Sequence, residues 1–589
     1  MAAPSALAAT TTAHGLQPPS ALHSEAGFIE IEPITFTLQG EGPRLELTSS
    51  PGRIFYSFHP ADRQPDKKPL FVFFNGGPGC PTSDMLMSMN TGPYSADLQR
   101  TGGKPLAPNP LSWTQLGNLL YLDAPDTGFS YLLGDQPENP EARATVFDAR
   151  NFNPFIDAAQ MGRALLRILA AHPEIQANPV VLVAESYGGV RASTLLNELL
   201  FYPRFGDGTR IYQDLMLVAE IQRHLDTIHP NDKGVHTPED VAQQFGRQIL
   251  IEPELTGEYA SVLSGEMYEA PGSLVHKVAE EERVPFVTCE MQAALGIPFP
   301  CDPYWNAQVW VTFFGNRDIY NVSKPGAWST ELDDFAGRTI TRIATLSQML
   351  GADATAIPGF AAEDRTGAFR YRTERESDLT FSKRIPIGGD LPVVGPAIQL
   401  LETAGITLPA AIDVPLVTPD PKRRVEAGSL EQVLGVLPPW DEYQVDCNMA
   451  IYDAFFDNQA TAAGYRIDPE SPLYGELFLQ NLPLVETMIT DADYDMAIFP
   501  PALPPSLLRY TDLVSNVEAI NAADATTGSA SRDDFIIVEY VPGALQDLAT
   551  PVRRSIYFPH YPESGHSISS AQPREFFEDV REWLSWVKQ

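Results

Sequence analysis

A serine in an unusual local setting is the residue of this sequence most able to do covalent chemistry. Ser186 lies in the segment AESYGG, which follows an apolar run and precedes a helical pattern. A sharp turn between a strand and a helix lifts a serine hydroxyl above the sheet, and small residues two positions before and after the serine leave room for that turn. Ala184 and Gly188 are such residues. The segment therefore indicates a nucleophilic serine.

A nucleophilic serine needs a general base and an acid that orients the base. For a serine in such a turn, the expected order along the chain is serine, acid, histidine. His566, in the segment ESGHS, follows the last predicted strands and is the candidate base. Asp491, Asp493 and Asp495 lie together in the segment TDADYDMA, on the loop after a preceding strand. The sequence therefore predicts a triad of Ser186, His566 and one of these aspartates.

Runs of apolar residues predict the elements that would position these groups. Continuous apolar runs predict buried strands, and apolar residues at helical spacing predict helices. The predicted strands are 70–74, 118–123, 180–184, 482–490 and 534–541, and the predicted helices are 156–172, 192–201 and 573–587. Alternation of strands and helices is typical of a parallel sheet with helices on its faces. The stretch 335–425 has no clear period and is predicted to be inserted cap material.

Composition restricts the partners of the protein. The 589 residues carry a formal net charge of −36, which would repel nucleic acid and an anionic membrane surface. We therefore expect no nucleic-acid partner and no membrane partner, and no run of about 18 apolar residues predicts a transmembrane helix. The negative charge has two interpretations. The protein could act on a cationic substrate, or the charge could keep the protein soluble in an acidic or salty medium. No Cys-x-x-Cys pair, HExxH sequence or cluster of cysteine and histidine predicts a metal site, and no cofactor is expected.

Five ordered blocks of the sequence resemble the serine carboxypeptidase family, peptidase family S10 of the α/β-hydrolase superfamily. They are NGGPGC at 75–80, NPLSW at 109–113, DAPDTGFSY at 123–131, ESY at 185–187, and Gly565-His566 with Gln572-Pro573; the segment YQVDCN at 443–448 is similar to a late cysteine segment of that family. The resemblance implies an α/β-hydrolase fold with a mostly parallel central sheet and a large inserted cap domain. The stretches 203–245 and 335–425 fall outside it.

The resemblance assigns roles to the candidate catalytic residues. Ser186 would attack the acyl carbon, and His566 would take the serine proton and later give it to the leaving amine. The acid would be Asp495, the second aspartate of a Gly-Asp-x-Asp block in which Ala492 replaces the glycine. Asp493 remains the alternative acid.

The resemblance also implies groups that bind the oxyanion and the substrate carboxylate. The backbone N–H groups of Gly77 and Tyr187 would form the oxyanion hole, because Gly77 allows close approach and Tyr187 begins a helix. Asn75 and a protonated Glu185 would bind the free C-terminal carboxylate of a peptide, which favours acid pH. Asn90 stands where the family has a third group, a glutamate. Since an amide donates at any pH, we expect activity that extends further towards neutral pH.

Two further expectations concern Arg191 and the four cysteines. Arg191 stands where the family has an uncharged aromatic residue, and we expect it to pair with a nearby acid. By the resemblance, the bridges would be Cys80–Cys447 and Cys289–Cys301. Two complete bridges favour an exported protein, secreted, periplasmic or in a vacuolar or lysosomal-like compartment, and a cytoplasmic enzyme with four reduced thiols is the alternative.

We predict four regions along the chain. They are a flexible N-terminal tail at 1–26, a first part of the α/β-hydrolase core at 27–202, a cap or insertion region at 203–440 that could include a core strand near 247–253, and a second part of the core at 441–589. The tail lacks the pattern of a signal peptide and is compatible with the segment that follows a removed one.

The predicted function is that of a serine carboxypeptidase, which hydrolyses the C-terminal peptide bond through an acyl-enzyme. The substrate would be a peptide or a small acyl compound, and the enzyme would be a monomer or a homodimer. An acyltransferase, or a hydrolase dedicated to one small amide or ester, would keep the triad; the unmatched insert and Asn90 favour this alternative. A non-enzymatic binding protein on an inactive hydrolase fold is the third hypothesis, and the intact Ser186, His566 and Gly77 argue against it.

Overall fold

The structure is a computed structural model. It describes residues 22–40, 42–95, 106–132, 152–231, 233–296, 301–313, 315, 317–325, 348–352, 385–386, 411–412, 449–456, 459–521, 534–546, 548 and 550–587. Most of the predicted tail at 1–26 and most of the predicted insert at 335–425 therefore lie outside the described residues.

The strands of the described residues are numbered in chain order. They are β1 (Glu25–Ile31), β2 (Thr35–Leu38), β3 (Leu45–Thr48), β4 (Gly52–His59), β5 (Leu70–Phe74), β6 (Tyr94–Ser95), β7 (Ala107–Pro108), β8 (Asn118–Leu122), β9 (Tyr131–Leu132), β10 (Val180–Glu185), β11 (Tyr212–Gln213), β12 (Arg247–Ile251), β13 (Arg317–Asp318), β14 (Asn321–Pro325), β15 (Ile385–Pro386), β16 (Ala411–Ile412), β17 (Glu486–Ile489), β18 (Asp491–Ala492), β19 (Val514–Asn521), β20 (Asp534–Tyr540), β21 (Arg553–Tyr557) and β22 (His560–Tyr561).

The α-helices of the same residues are numbered in the same way. They are α1 (Ser83–Ser88), α2 (Pro154–Ala171), α3 (Gly188–Leu200), α4 (Leu215–Ile228), α5 (Pro238–Phe245), α6 (Glu258–Tyr268), α7 (Leu274–Glu282), α8 (Cys289–Ala294), α9 (Pro303–Phe313), α10 (Met449–Phe456), α11 (Gln459–Ala462), α12 (Leu473–Asn481), α13 (Leu503–Leu507), α14 (Ile568–Ala571) and α15 (Pro573–Trp586). None of these helices is both long enough and apolar enough to cross a membrane.

One large sheet organises the core. Its strand order is β1-β4-β8-β5-β10-β12-β17-β21-β20-β19, with β9 paired to β4. The six strands from β8 to β21 run parallel to one another, and the strands at both edges are antiparallel to their neighbours. In open α/β sheets, ligands bind beyond the carboxyl ends of the parallel strands. The predicted α/β fold with a mostly parallel central sheet is confirmed.

The interior strands are buried on both faces because helices cover both sides of the sheet. Every residue of β5 and β10 is buried. In β5, Val72 and Phe74 belong to the apolar core beneath α2 and α3, whereas Phe71 and Phe73 belong to the core beneath α15. Strands buried on both faces have continuous apolar sequences, so these runs could be predicted as strands.

Helix α2 begins at residues that favour a helix start. The side chain of Asn153 accepts hydrogen bonds from the backbone N–H groups of Phe155 at 3.1 Å and Ile156 at 3.2 Å. Pro154 occupies the first helical position, where no N–H donor is needed. Helix α2 packs against α3, and thereby supports the helix that begins just after Ser186.

The predicted cap or insertion region at 203–440 starts with elements that pack on the core. The core strand that the sequence allows near 247–253 is present as β12, which lies between β10 and β17, and the preceding helices α4 and α5 pack against α2 and α3. The buried residues of α4 and α5 alternate with exposed polar residues such as Arg223 and Glu239, and such a mixed pattern does not distinguish a core helix from a cap helix. The cap proper contains α6 to α9 around a separate apolar core that includes Tyr268, Trp310 and Met496.

Candidate active site

Ser186 occupies a strained turn between β10 and α3. Its φ is +57°, a left-handed conformation that residues with a β-carbon rarely adopt. The Ser186 N–H donates to the Ile251 carbonyl at 3.0 Å, and the Ser186 carbonyl accepts from the N–H groups of Gly189 at 2.8 Å and Glu254 at 3.0 Å. Strain of this kind persists where the surroundings enforce it and is common at catalytic residues. The turn has the geometry expected for an exposed nucleophilic serine.

The structure pairs His566 with Asp495. His566 Nδ1 lies 2.6 Å from Asp495 Oδ2, and the aspartate side chain is 0% exposed. The other carboxylate oxygen of Asp495 accepts the backbone N–H groups of Ala497 at 2.9 Å and Ile498 at 3.2 Å. An imidazole that donates its Nδ1–H to a carboxylate has its basic lone pair on Nε2. The pair can therefore act as an oriented general base.

The neighbouring aspartates contact a different histidine. His560 Nδ1 lies 2.8 Å from Asp491 Oδ2, and His560 Nε2 lies 3.2 Å from Asp493 Oδ1. The side chain of Asp493 is 48% exposed, whereas that of Asp495 is fully buried. Of the aspartates that the sequence left open, only Asp495 hydrogen-bonds His566 in the described structure. The geometry therefore favours Asp495 as the acid.

A hairpin of the cap connects the acid loop with the histidine loop. The hairpin consists of β13, β14 and the two residues between them. The carbonyl of Ile319 accepts the Met496 N–H at 2.8 Å, and the carbonyl of Tyr320 accepts the His566 N–H at 2.9 Å. The two loops also pair directly through β18 and β22. The acid, the base and this part of the cap are thus held together by backbone hydrogen bonds.

Glu252 is a buried acid near the triad that sequence reasoning missed. It follows β12, has a φ of +42° and is 0% exposed. Its Oε1 accepts the Thr490 hydroxyl at 3.0 Å, and its Oε2 has no hydrogen-bond partner among the described residues. Burial raises the pKa of Glu252 well above its usual value, and the charges of Asp495 and Asp491 raise it further. These effects favour the neutral form of Glu252.

The glycine loop after β5 lies against the nucleophile. A β-carbon at Gly76 would lie 2.5 Å from the β-carbon of Ser186, so no larger residue fits there. Gly77 has a φ of +105°, which glycine adopts without strain. Within the part of the chain that the structure describes, neither the Gly77 N–H nor the Tyr187 N–H has an acceptor. These two donors can stabilise negative charge that develops next to Ser186.

Glu185 is buried beside the nucleophile and close to the triad. The residue is 3% exposed, and its Oε2 has no hydrogen-bond partner among the described residues. Burial raises the pKa of Glu185 to about 7; the charge of His566 lowers this pKa and that of Asp495 raises it. Below pH about 7 Glu185 is therefore mostly protonated and can donate a hydrogen bond.

The side chains of Asn75 and Asn90 are engaged within the protein. Asn75 donates to the Pro81 carbonyl at 2.8 Å and accepts the Gly76 N–H at 2.7 Å, so it holds the glycine loop in place. Asn90 has a φ of +55° and accepts the Ser95 hydroxyl at 3.0 Å. Neither residue, nor Glu185, lines the cavity at Ser186. The structure does not bring the three predicted carboxylate-binding groups together at that cavity.

Arg191 connects the glycine loop with the segment around Tyr187, which carry the two predicted oxyanion donors. Its Nε lies 2.7 Å from Asp157 Oδ2, and its Nη1 donates to the Asn75 carbonyl at 2.5 Å. The same carboxylate oxygen accepts the Tyr187 hydroxyl at 3.0 Å. The side chains of Arg191 and Asp157 are 1% and 2% exposed. The expected pairing with an acid is present, and it also fixes Tyr187 relative to the loop that holds Gly77.

Replacing Arg191 by lysine is expected to lower kcat by about 10–100-fold, close to the effect of losing one oxyanion donor. A lysine keeps a positive charge near Asp157 but lacks the planar fork that reaches the Asn75 carbonyl at the same time. KM should change little, because Arg191 is buried and does not line the cavity at Ser186. Steady-state kinetics of Arg191→Lys beside the partly exposed Arg167→Lys control test this. A folded Arg191→Lys enzyme with unchanged kcat would contradict it.

A cavity of about 340 Å³ lies next to Ser186. Its lining includes Gly77 of the glycine loop and aromatic side chains of the cap and of α10, and it also contains carboxyl, hydroxyl and amide groups. The aromatic lining residues are Tyr304, Trp305, Tyr320, Tyr452, Phe456 and Phe499, and the polar ones include Glu254, Thr256, Gln308 and Glu470. The volume is in the range of small-ligand pockets, which begins at about 300 Å³.

The cysteines explain the one potential metal-ligand cluster found among the described residues. This cluster consists of Glu269, Cys289 and Cys301. Cys289 and Cys301 form a disulfide, the pairing that the resemblance implied, so they offer no thiolate ligands. Cys447 lies outside the described residues, and the Cys80–Cys447 bridge stays a prediction.

The order of the sheet, the serine turn and the His566–Asp495 pair define an α/β-hydrolase. Residues 45–211 match the sequence profile of the serine carboxypeptidase family. This segment contains Ser186, the glycine loop and Arg191. The resemblance that the motifs indicated is confirmed by this match, which covers residues 45–211.

Individual relatives match only part of the chain. Serine carboxypeptidase-like 20 of Arabidopsis thaliana is 32% identical over 150 residues, which are 25% of this chain and 28% of that protein. Serine carboxypeptidase 1 of Hordeum vulgare is 29% identical over 153 residues, again 25% of this chain and 28% of that protein. The match thus spans less than a third of either relative. The crystal structure of KEX1(DELTA)P, a prohormone-processing carboxypeptidase from Saccharomyces cerevisiae, is similar with a TM-score of 0.46 and 11% identity, covering 95% of this chain and 91% of that one.

Proposed function

We propose that the protein is a serine carboxypeptidase that releases the C-terminal residue of peptides through an acyl-enzyme. The observation that carries the proposal is the 2.6 Å contact of His566 with Asp495, in a chain whose Ser186 lies in a strained turn. The match of residues 45–211 to the family adds support. No cofactor takes part in the proposed reaction, and an exported location is part of the same proposal.

In the proposed mechanism, Ser186 Oγ attacks the carbonyl carbon while His566 Nε2 accepts the serine proton. Asp495 holds the imidazole in the required tautomer through Nδ1–H. The N–H groups of Gly77 and Tyr187 stabilise the negative oxygen of the tetrahedral intermediate. The imidazolium then protonates the leaving amine, and water hydrolyses the acyl-enzyme with His566 as the base.

A second candidate is an acyltransferase, or a hydrolase dedicated to one small amide or ester. The observation that favours it is the engagement of Asn75 and Asn90 in hydrogen bonds within the protein. Among the described residues, none of the three predicted clamp groups lines the cavity. A substrate without a free carboxylate would need no such clamp.

The two candidates are distinguished by the products from matched peptides. The purified protein is incubated with N-blocked peptides at about pH 5 and about pH 7. Glu185, whose pKa is raised to about 7, is mostly protonated at the lower pH and partly protonated at the higher one. Mass spectrometry follows loss of the C-terminal residue. Stepwise loss from free acids and none from C-amidated peptides supports the carboxypeptidase. Cleavage of small amides or esters alone supports the second candidate and overturns the first.

The carboxypeptidase candidate assigns Glu185 to the substrate carboxylate, so it predicts that the KM of free-acid peptides rises as the pH passes about 7, where Glu185 loses the proton that it would donate. The raised pKa means that the neutral, donating form is present below this pH and is lost above it. Glu185→Gln keeps a donor at every pH and should flatten the KM profile. An equally steep profile in the variant would rule out this role for Glu185.

A further inference from the structure

The cavity beside Ser186 contains a carboxyl group that the proposed mechanism does not use. Glu254 lines the cavity, and its backbone N–H donates to the Ser186 carbonyl at 3.0 Å, so its position is fixed relative to the nucleophile. Its half-buried side chain has no hydrogen-bond or ion-pair partner within the described ranges. A second carboxylate, that of Glu470, lines the same cavity. A partly desolvated acid without a partner is unfavourable unless a ligand pairs with it.

Thr256 is an independent indication of a ligand at this place. It is 0% exposed and lines the cavity, and its hydroxyl has no hydrogen-bond partner in the part of the chain that the structure describes. Buried hydroxyls in native proteins are rarely unpaired, and each has two lone pairs that can accept. Glu254 and Thr256 together therefore offer several acceptors inside one cavity. Such a set is complementary to a group with several N–H donors.

The rest of the lining is suited to a long side chain with a charged end. Tyr304, Trp305 and Tyr320 are among the aromatic walls. Aromatic faces can cover an aliphatic stem and attract a cation at close range. The net charge of −36 would also increase the local concentration of a cationic substrate.

We propose that this cavity binds a lysine or arginine side chain of the substrate next to the scissile bond, and that Glu254 is the residue that selects the positive charge. The proposal deepens the proposed function and rests on it. The ammonium or guanidinium group would donate to the Glu254 carboxylate and to the Thr256 hydroxyl, while the aromatic walls hold the stem. A side chain without a hydrogen-bond donor, such as norleucine or an ionised glutamate, would leave both acceptors unpaired.

The pH dependence of this selectivity follows from the groups that face Glu254. Burial, together with the negative charges of Glu470 and Asp468, raises the pKa of Glu254 to about 8. Tyr304, also in the lining, stays neutral because burial and Glu254 raise its pKa. A lysine side chain remains charged up to about pH 10. Glu254 must lose its proton to pair with that charge, so the preference for lysine should increase as the pH rises towards 8.

The test compares N-blocked peptides that differ in one residue beside the scissile bond, with lysine, norleucine or glutamate at that place. We expect kcat/KM for lysine to exceed that for norleucine by about 10–100-fold, as for a hydrogen bond to a charged group. In Glu254→Gln the ratio should fall to within about 3-fold of one. Glu266→Gln, which removes the same charge from an exposed position of α6, should keep the full ratio.

A second measurement does not depend on peptide turnover. Phosphonate esters that carry a lysine or a norleucine side chain label the serine itself, and their rates of reaction with Ser186 give the same ratio. If peptides are cleaved but neither measurement favours lysine, the cation site is overturned and the carboxypeptidase stands. If no peptide is cleaved but the lysine phosphonate reacts faster in a Glu254-dependent way, the site stands and the carboxypeptidase falls. If neither phosphonate labels Ser186, both are overturned.

Discussion

Replacing Ser186 by alanine is expected to lower kcat by about 10⁶-fold, as for other enzymes in which a serine forms the acyl-enzyme. The alanine cannot form the covalent intermediate, and His566 then has no hydroxyl to deprotonate. Because alanine also carries a β-carbon, the strain of the φ of +57° stays in place. The free energy of unfolding should therefore change by no more than about 1 kcal/mol.

The measurement is the release of the C-terminal residue by wild-type and variant protein under identical conditions. Labelling by a fluorophosphonate serves as the control, since it should occur in the wild type and disappear in Ser186→Ala. Thermal unfolding of both proteins shows that the variant is folded. Peptide release that persists in the unlabelled variant would show that another residue is the nucleophile.

Replacing Asp495 by asparagine is expected to lower kcat by about 10⁴-fold. The asparagine amide can donate to His566 Nδ1, which moves the imidazole proton to Nε2 and removes the lone pair that accepts the serine proton. The asparagine also lacks the carboxylate that stabilises the imidazolium formed during catalysis, so the loss combines the wrong tautomer with a missing charge.

Asp493→Asn is the matched control for this second prediction. Asp493 is half exposed and contacts His560, so its replacement should alter kcat by less than about 3-fold. Steady-state kinetics of both variants on one peptide decide the assignment. A large loss in Asp493→Asn with a small loss in Asp495→Asn would move the catalytic acid to Asp493.

The sequence was sufficient to predict those parts of the site whose signals are local. The strand before Ser186, the small residues at its turn and the helix that follows are neighbours in the chain, so the turn could be predicted without a structure. The loop of three aspartates was found in the same way. The choice among them depends on which one contacts His566, and that contact spans 71 positions of the chain.

Other parts of the site depend on contacts between distant segments. Glu252 approaches Thr490 across 238 positions because β12 lies next to β17 in the sheet, and the order of strands is not written in any local pattern. The same placement of β12 brings Glu254 and Thr256 to the cavity at Ser186. Arg191 reaches the Asn75 carbonyl across 116 positions. In each case the sequence shows the polar residue near a predicted strand or helix, but it does not show which distant segment supplies the hydrogen-bond partner.

The three predicted carboxylate-binding groups show what a local motif leaves open. Asn75 and Asn90 occupy the positions that the motif indicates, and both side chains make hydrogen bonds within the protein. Asn75 accepts the N–H of the next residue, and Asn90 adopts a left-handed conformation that asparagine tolerates better than most residues. A motif gives the residue type. It does not say whether the side chain hydrogen-bonds a substrate or a neighbouring group of the protein.

The hairpin formed by β13, β14 and their turn gives the cap a structural role besides lining the cavity. Its carbonyls accept the backbone N–H groups of Met496, next to the acid, and of His566. The acid loop and the histidine loop also follow β17 and β21, which are strands of the same sheet that carries Ser186. The acid and the base are therefore supported by the sheet and by the cap together, and removal of the cap would take away part of that support.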